Sequence, residues 1–329
     1  MRFHSGLRHV CAAAGLLSVS LGAAEAGADP SSLPPEMGWN YGEQETPRTA
    51  AMGGASRALG ADINGLFTNP ANLAASRVYH LAALGQIWPE ANRQSYGAAA
   101  IDSATSRLAA GVGGFYTLQD SEGLKRKGID ARLGLAFPLG DRIFVGATGK
   151  LLRLEQNGLG PLGSSLASGG LKNTSIVNGM TFDAGLTVRP ISLLSLAIVG
   201  TNLTNPGDGY RPLGLGGGIA IGQRQFAIEA DMTANFTTYD KTKFRYMVGG
   251  ELLIADTYPL RAGYRFDQGL QSHLVTGGAG YLDRQFGVEL SVQRGVSGPS
   301  STAIILGLQL FLEGIGLARG AEDIDIPGG

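Results

Sequence analysis

Residues Arg224 to Thr233 read R-Q-F-A-I-E-A-D-M-T, and their order decides what this chain can build. Phe226, Ile228, Ala230 and Met232 fall on one side of an extended backbone, Gln225, Glu229 and Asp231 on the other. Alternation of this kind is the period of a β-strand, because successive side chains on a pleated backbone point to opposite faces.

The pattern recurs in both directions along the chain. Phe182, Ala184, Leu186 and Val188 oppose Asp183 and Thr187, and Leu260, Ala262, Tyr264 and Phe266 oppose Arg261, Arg265 and Asp267. Phe286, Val288, Leu290 and Val292 oppose Glu289, Ser291 and Gln293 in the same way. The alternation predicts about fourteen strands, at 77–88, 93–102, 106–117, 128–139, 142–154, 179–189, 192–202, 211–222, 224–234, 243–254, 257–267, 271–282, 285–294 and 301–312. An even count suits a single-chain bacterial barrel.

Connector lengths point the same way. Those after even-numbered strands are minimal, such as Gly140-Asp141, Pro190-Ile191, Ala255-Asp256 and Asp283-Arg284. Those after odd-numbered strands are mostly longer, from Leu118 to Lys127, Glu155 to Asn178, Leu203 to Tyr210 and Asn235 to Thr242. Outer-membrane barrels have short periplasmic turns and long external loops, so both termini are expected on the periplasmic side.

A soluble barrel would turn its apolar rows inward. Eight strands enclose a space that side chains can fill, whereas sixteen leave a channel, so fourteen apolar rows have nowhere to meet inside. They are expected to face lipid, with Tyr79, Trp88, Tyr116, Phe144, Phe226, Phe244, Tyr246, Tyr264, Tyr281 and Phe286 as interfacial girdles. The polar rows then line the lumen. They carry Asp130, Arg132, Lys150, Asp183, Glu229, Asp231, Arg245, Glu251, Arg261, Arg265 and Glu289, nearly balanced in sign, and pairing with one another or with a luminal segment is the expected use. A rival reading makes Arg245, Arg261 and Arg265 a local anion site.

Composition agrees with an all-β transmembrane architecture. Glycine is 52 of 329 residues, about twice its usual ~7% share, and net charge is −1, which gives nucleic acid nothing to bind. The longest uncharged runs beyond the amino terminus, such as Pro190 to Gly207, fall short of the ~20 apolar residues of a membrane-spanning helix. If the chain spans a membrane, it does so as a closed barrel. Arg2 and Arg8 precede an apolar run from Cys11 to Ala24, and small residues around Ala26 offer a cleavage site, so 1–28 reads as a secretory signal peptide that removes Cys11, the chain's single cysteine. Residues 313–329 are acidic, with Glu313, Glu322, Asp323 and Asp325 against Arg319, and read as a periplasmic tail.

Between these parts, Pro47 to Ser76 fits neither strand nor tail. Gly53-Gly54 permits a tight bend, and Asn69-Pro70 stops any helix. AMGGA at Ala51 to Ala55, Asp62, and LFTNPANLA at Leu66 to Ala74 resemble the N-terminal plug of FadL-type long-chain fatty acid transporters and their PorV-type relatives. Those are outer-membrane β-barrels. The resemblance implies that 29–76 is an arm and lumen plug ahead of a barrel at 77–312, with Met52, Gly53, Gly54, Asp62, Asn69, Pro70 and Ala71 as the plug motif. Arg48, Arg57 and Asp62 are the charges it offers to the lumen. From FadL-type proteins it implies passive passage of small hydrophobic molecules past the plug and out through a gap in the wall. From PorV-type proteins it implies instead a non-transporting anchor or shuttle of an envelope machine for secretion or surface motility, with periplasmic or envelope protein partners.

No chemistry competes with these readings. Outside the signal peptide the histidines are His80 and His273, without metal-ligand spacing, and Ser272 and His273 are strand neighbours that cannot face each other. No enzyme, cofactor or metal is expected. The glycine clusters at Gly214, Gly216 to Gly218 and Gly277, Gly278, Gly280 precede no helix and read as strand positions that allow curvature or close packing. Lys125-Arg126-Lys127 reads as a charged loop tip.

Overall fold

Alternation in sequence becomes a closed antiparallel wall in space. The computed structural model describes residues 44–120, 125–157, 174–207, 210–298 and 301–312; the predicted signal peptide, the arm up to residue 43 and the acidic tail lie outside them. The strands are β1 Tyr79–Trp88, β2 Arg93–Asp102, β3 Ala109–Gln119, β4 Arg126–Pro138 and β5 Ile143–Gln156. They continue as β6 Thr174–Ile191, β7 Leu194–Thr201, β8 Gly214–Gly222, β9 Phe226–Asn235 and β10 Lys243–Ile254. The last four are β11 Tyr258–Asp267, β12 Ser272–Leu282, β13 Phe286–Ser297 and β14 Thr302–Phe311. Each pairs with its sequence neighbours, and β14 closes on β1 in the register His80↔Phe311 to Ile87↔Ile304.

Strand positions follow the alternation closely, and the departures have local causes. β6 starts earlier than expected because Thr174 and Ser175 join the ladder opposite Gln156 and Glu155. At the other end of β6 the register with β7 shifts between Val188 and Ile191, around Pro190, which has no N–H to give the ladder. β4 begins at Arg126, so Lys125-Arg126-Lys127 is not wholly a loop tip: Arg126 is buried and its Nε donates to Gln156 Oε1 at 2.9 Å.

Connectors at one end are short, such as 192–193, 223–225, 255–257 and 283–285. At the other end, three of seven are longer than any at the first, at 157–173, 202–213 and 236–242. We refer to these as the turn end and the loop end.

The two faces sort as the sequence requires. On β9, Ile228 is 59% exposed and Glu229 beside it 0%. Every strand shows at least one large apolar side chain outward, including Ile87, Tyr96, Val112, Leu133, Leu151, Met180 and Ile198 on the first seven. A continuous apolar wall with no open edge suits hydrocarbon as solvent. Of the expected girdle, Tyr116, Phe226, Tyr246, Tyr264, Tyr281 and Phe286 face outward, while Tyr79 and Phe244 are half-buried. Trp88 and Phe144 are corrections: both are buried on the luminal side, because Trp88 shares its parity with His80 and Gln86, and Phe144 with Thr148 and Lys150. The Arg93 guanidinium lies 4.3 Å over the Trp88 ring.

This orientation has a direct test. Leu133 is 59% exposed near the middle of β4, so Leu133→Arg should cost about 2–4 kcal/mol of folding stability in a bilayer, as charges at the lipid midplane do. Leu133→Ala should cost far less. Equal unfolding midpoints for the arginine and alanine variants in lipid vesicles would show that this row does not meet hydrocarbon.

Candidate functional site

Inside the wall lies residues 44–76, a stretch of short helices joined by tight bends. Helix α1, Pro47–Ala51, has Pro47 in its first turn and Thr46 as N-cap, whose hydroxyl accepts the Thr49 N–H at 3.3 Å. Gly53 and Gly54 then take φ of +70° and +92°, values that only glycine adopts without strain. The same residues press against the wall. A Cβ on Gly53 would stand 2.7 Å from the Tyr264 backbone, and one on Gly263 2.3 Å from Gly53 N and Met52 C. The AMGGA stretch therefore lies backbone to backbone on β10 and β11.

The second half of the segment uses asparagine in a similar way. Helix α2, Ile63–Phe67, ends at Thr68, and Asn69-Pro70 both interrupts it and starts the 3-10 helix Pro70–Ala74. Asn69 Oδ1 accepts the Ala71 N–H at 3.1 Å, while its amide donates to Thr187 Oγ1 at 2.9 Å and to the Arg57 carbonyl at 2.8 Å. Thr187 passes its own proton to Asn72 Oδ1 at 2.7 Å. Asp62 behaves differently from Arg48 and Arg57: its carboxylate accepts from the Ser76 hydroxyl within the segment and makes no ion pair with the wall.

All of the sequence-assigned luminal charges project inward, and they pair with one another or with the segment. Asp231 Oδ2 accepts from Ser56 N at 2.9 Å, Arg57 N at 3.0 Å and the Arg57 guanidinium at 3.1 Å. Glu229 Oε1 accepts the Ala58 N–H at 2.6 Å. Arg48 Nε donates to Glu251 at 3.1 Å, Glu251 also takes Arg261, and Arg261 reaches on to Glu289. Arg265 holds Glu45 and donates to the Gly53 carbonyl at 2.8 Å. Arg132 clasps Asp130 at 2.8 Å and donates to the Phe67 carbonyl at 3.2 Å, and Lys150 meets Asp183 at 2.7 Å. Arg245 pairs with Asp267 at 2.7 Å. Arg245, Arg261 and Arg265 are each matched by a carboxylate, so they form no free anion site.

The lumen is not polar throughout, which the strand pattern alone did not indicate. α2 and the 3-10 helix pack Ile63, Leu66, Phe67 and Leu73 against Leu84, Ile101 and Phe115 of β1 to β3, with Phe67 edge-on to Phe115 at 5.2 Å between centroids. The charges that bind the segment's Glu45, Arg48, Arg57 and Ala58 lie across the lumen, on β9 to β11. Sequence reasoning also missed Glu45, Thr187, Gln293, Gly146, Gly249 and Gly263. Glu45 holds Gln293 as well as Arg265, and a Cβ on Gly146 would lie 2.5 Å from the Pro70 carbonyl. Inward parity was the available signal for the wall residues. Of the glycine clusters, Gly216, Gly218 and Gly278 face Arg57, Ala58 and Ala51 of the segment.

Above the segment, towards the loop end, is a cavity of about 120 Å³, floored by Arg57, Phe67 and Thr68 and walled by Tyr210, Phe244 and Met247 among others. His80 lies tilted against Phe311, His273 stacks on Phe266, and among the described residues no three ligating side chains gather as a metal site would require.

A closed wall with apolar residues outside and its own amino-terminal segment bonded within defines a transmembrane β-barrel of the internally filled class. No family model matches the chain, and no curated protein does. Solved structures do. The CymD monoaromatic hydrocarbon channel matches with a TM-score of 0.65 at 15% identity, over 83% of this chain and 98% of that one. The Ralstonia pickettii toluene transporter TbuX matches at 0.61 and 14%, over 82% and 99%. A Pseudomonas aeruginosa FadL homologue matches at 0.55 and 14%, over 81% and 98%. The fold is thus that of the FadL-type barrels.

Proposed function

We propose that this chain is a passive outer-membrane channel for small hydrophobic molecules, with both termini periplasmic and residues 44–76 as the plug. The loop-end cavity supports the reading most directly: it opens between the external loops and ends on the segment, and aromatic and thioether side chains line it beside the ion pairs. The similar structures include a monoaromatic hydrocarbon channel and a toluene transporter, which favours apolar cargo over solutes of general porins. Nothing in such a site requires catalysis. The anchor reading draws on the acidic tail, which lies outside the described residues, and on the lack of an evident ligand pocket in the sequence, against which the loop-end cavity counts.

Liposomes containing the purified protein should take up toluene, followed by an entrapped solvatochromic dye, several-fold faster than empty liposomes. Equal rates in the two preparations would remove the transport reading.

A further inference from the structure

The segment has a second cavity on its other side. At the turn end, about 330 Å³ is enclosed by Arg77, Arg107, Arg142 and Arg189, with Asp141 as the one carboxylate among the described lining residues. The arginines come from separate places: Arg77 follows the segment, Arg107 and Arg142 lie in the β2–β3 and β4–β5 turns, and Arg189 is two residues before the end of β6. Arg189 is half-buried on the inward row of β6, whereas Arg107 and Arg142 are exposed at the rim of the turn end. Arg189 shares its parity with Thr187, which is buried.

Unlike the paired arginines of β10 and β11, none of these four guanidinium groups forms a salt bridge with a described carboxylate, although Asp102 attracts Arg77 electrostatically. Arg77 donates to the carbonyls of Ala104 at 2.9 Å and Ser106 at 3.3 Å, and Arg142 to that of Pro190 at 2.9 Å. Arg107 and Arg189 lie 5.6 Å and 5.1 Å over the rings of Phe137 and Phe144. The nearby Asp102 carboxylate is taken up by the backbone N–H groups of Ala104 and Thr105. Nε of Arg77 and Nε of Arg189 are buried without a hydrogen-bond partner. Four like charges around one cavity repel each other, and an anion relieves that repulsion while satisfying the free donors.

We propose that the turn-end cavity binds a small anion with an apolar body, its charged group on the arginines and its hydrocarbon against Pro138, Phe144 and Ala109. The lining includes the exposed turn residues Arg107, Asp141, Arg142 and Ser192, so the ligand arrives from the aqueous phase at the turn end and not as a headgroup of the surrounding lipid. The proposal does not depend on the transport reading, since it concerns equilibrium binding at one end.

Calorimetric titration of the full chain in nonionic detergent tests it with four probes. Benzoate and phenyl phosphate should bind, and benzyl alcohol and inorganic phosphate should bind at least about tenfold more weakly. The double variant Arg142→Gln with Arg189→Gln should lose at least about tenfold in benzoate affinity, since two charge-assisted hydrogen bonds are removed. Arg107→Gln, at an exposed turn position that does not hold the fold, should weaken benzoate as well, and Arg153→Gln on the exposed loop end should not. Benzyl alcohol binding as tightly as benzoate overturns the proposal, and so does inorganic phosphate doing so. Benzoate affinity unchanged in both the double variant and Arg107→Gln overturns it too.

Discussion

Deleting residues 44–76 is expected to raise single-channel conductance in planar bilayers by roughly tenfold or more, because fourteen strands enclose more space than their own side chains can fill. In the intact chain that space is taken by α1, α2 and the 3-10 helix. Ala50, Ala51, Met52, Ala55 and Leu73 are wholly buried, and none of them belongs to the wall. Without the segment, Asp231, Glu229 and Arg265 lose partners, but they then face water and can be hydrated in place. The barrel should still fold, because its ladder is continuous from β1 through β14 and back. Conductance equal to that of the intact chain, in preparations with the same strand content, would mean that the segment is not what closes the pore.

The second large effect concerns what holds the segment in place. Asp231→Ala removes the acceptor of two backbone N–H groups and one guanidinium and leaves Arg57 without its carboxylate in a poorly hydrated site. Breaking one side of a buried pair costs about 3–5 kcal/mol. Here that cost falls on docking of the segment and not on the wall, so protease should cut within 44–76 while β-structure persists. Replacing both partners, as Arg57→Leu with Asp231→Leu, should restore part of the protection, since a paired apolar contact leaves no orphan charge, although the N–H groups of Ser56 and Arg57 stay unmet. Resistance to protease equal to wild type in Asp231→Ala would place the anchoring elsewhere.

The arginines of β11 show how far local pattern reaches. Alternation with Leu260, Ala262 and Tyr264 is enough to turn Arg261 and Arg265 inward. It is not enough to choose their partners. Arg261 bridges Glu251 on β10 and Glu289 on β13, and Arg265 reaches Glu45, 220 positions away in sequence. Trp88 and Phe144 mark the opposite case: their inward parity is present in the sequence and outweighs their closeness to a strand end, which by itself suggests a membrane interface. The apolar half of the lumen could not be read from β1 to β3, whose inward alanine, leucine and isoleucine side chains have meaning only once Ile63, Leu66 and Leu73 lie on them.

The order of residues by itself determined the number of strands, their limits to within a few positions, the end that carries the longer loops and the side that meets hydrocarbon. These are consequences of a two-residue period and of connector length, both of which are properties of neighbours in the chain. Only the closed barrel decided which carboxylate meets which guanidinium, where Met52 and Gly53 lie flat on Gly249 and Gly263, and why four arginines at the turn end share one cavity. Those outcomes depend on distances between residues far apart in sequence, which are fixed when β14 pairs with β1 and the amino-terminal segment is enclosed.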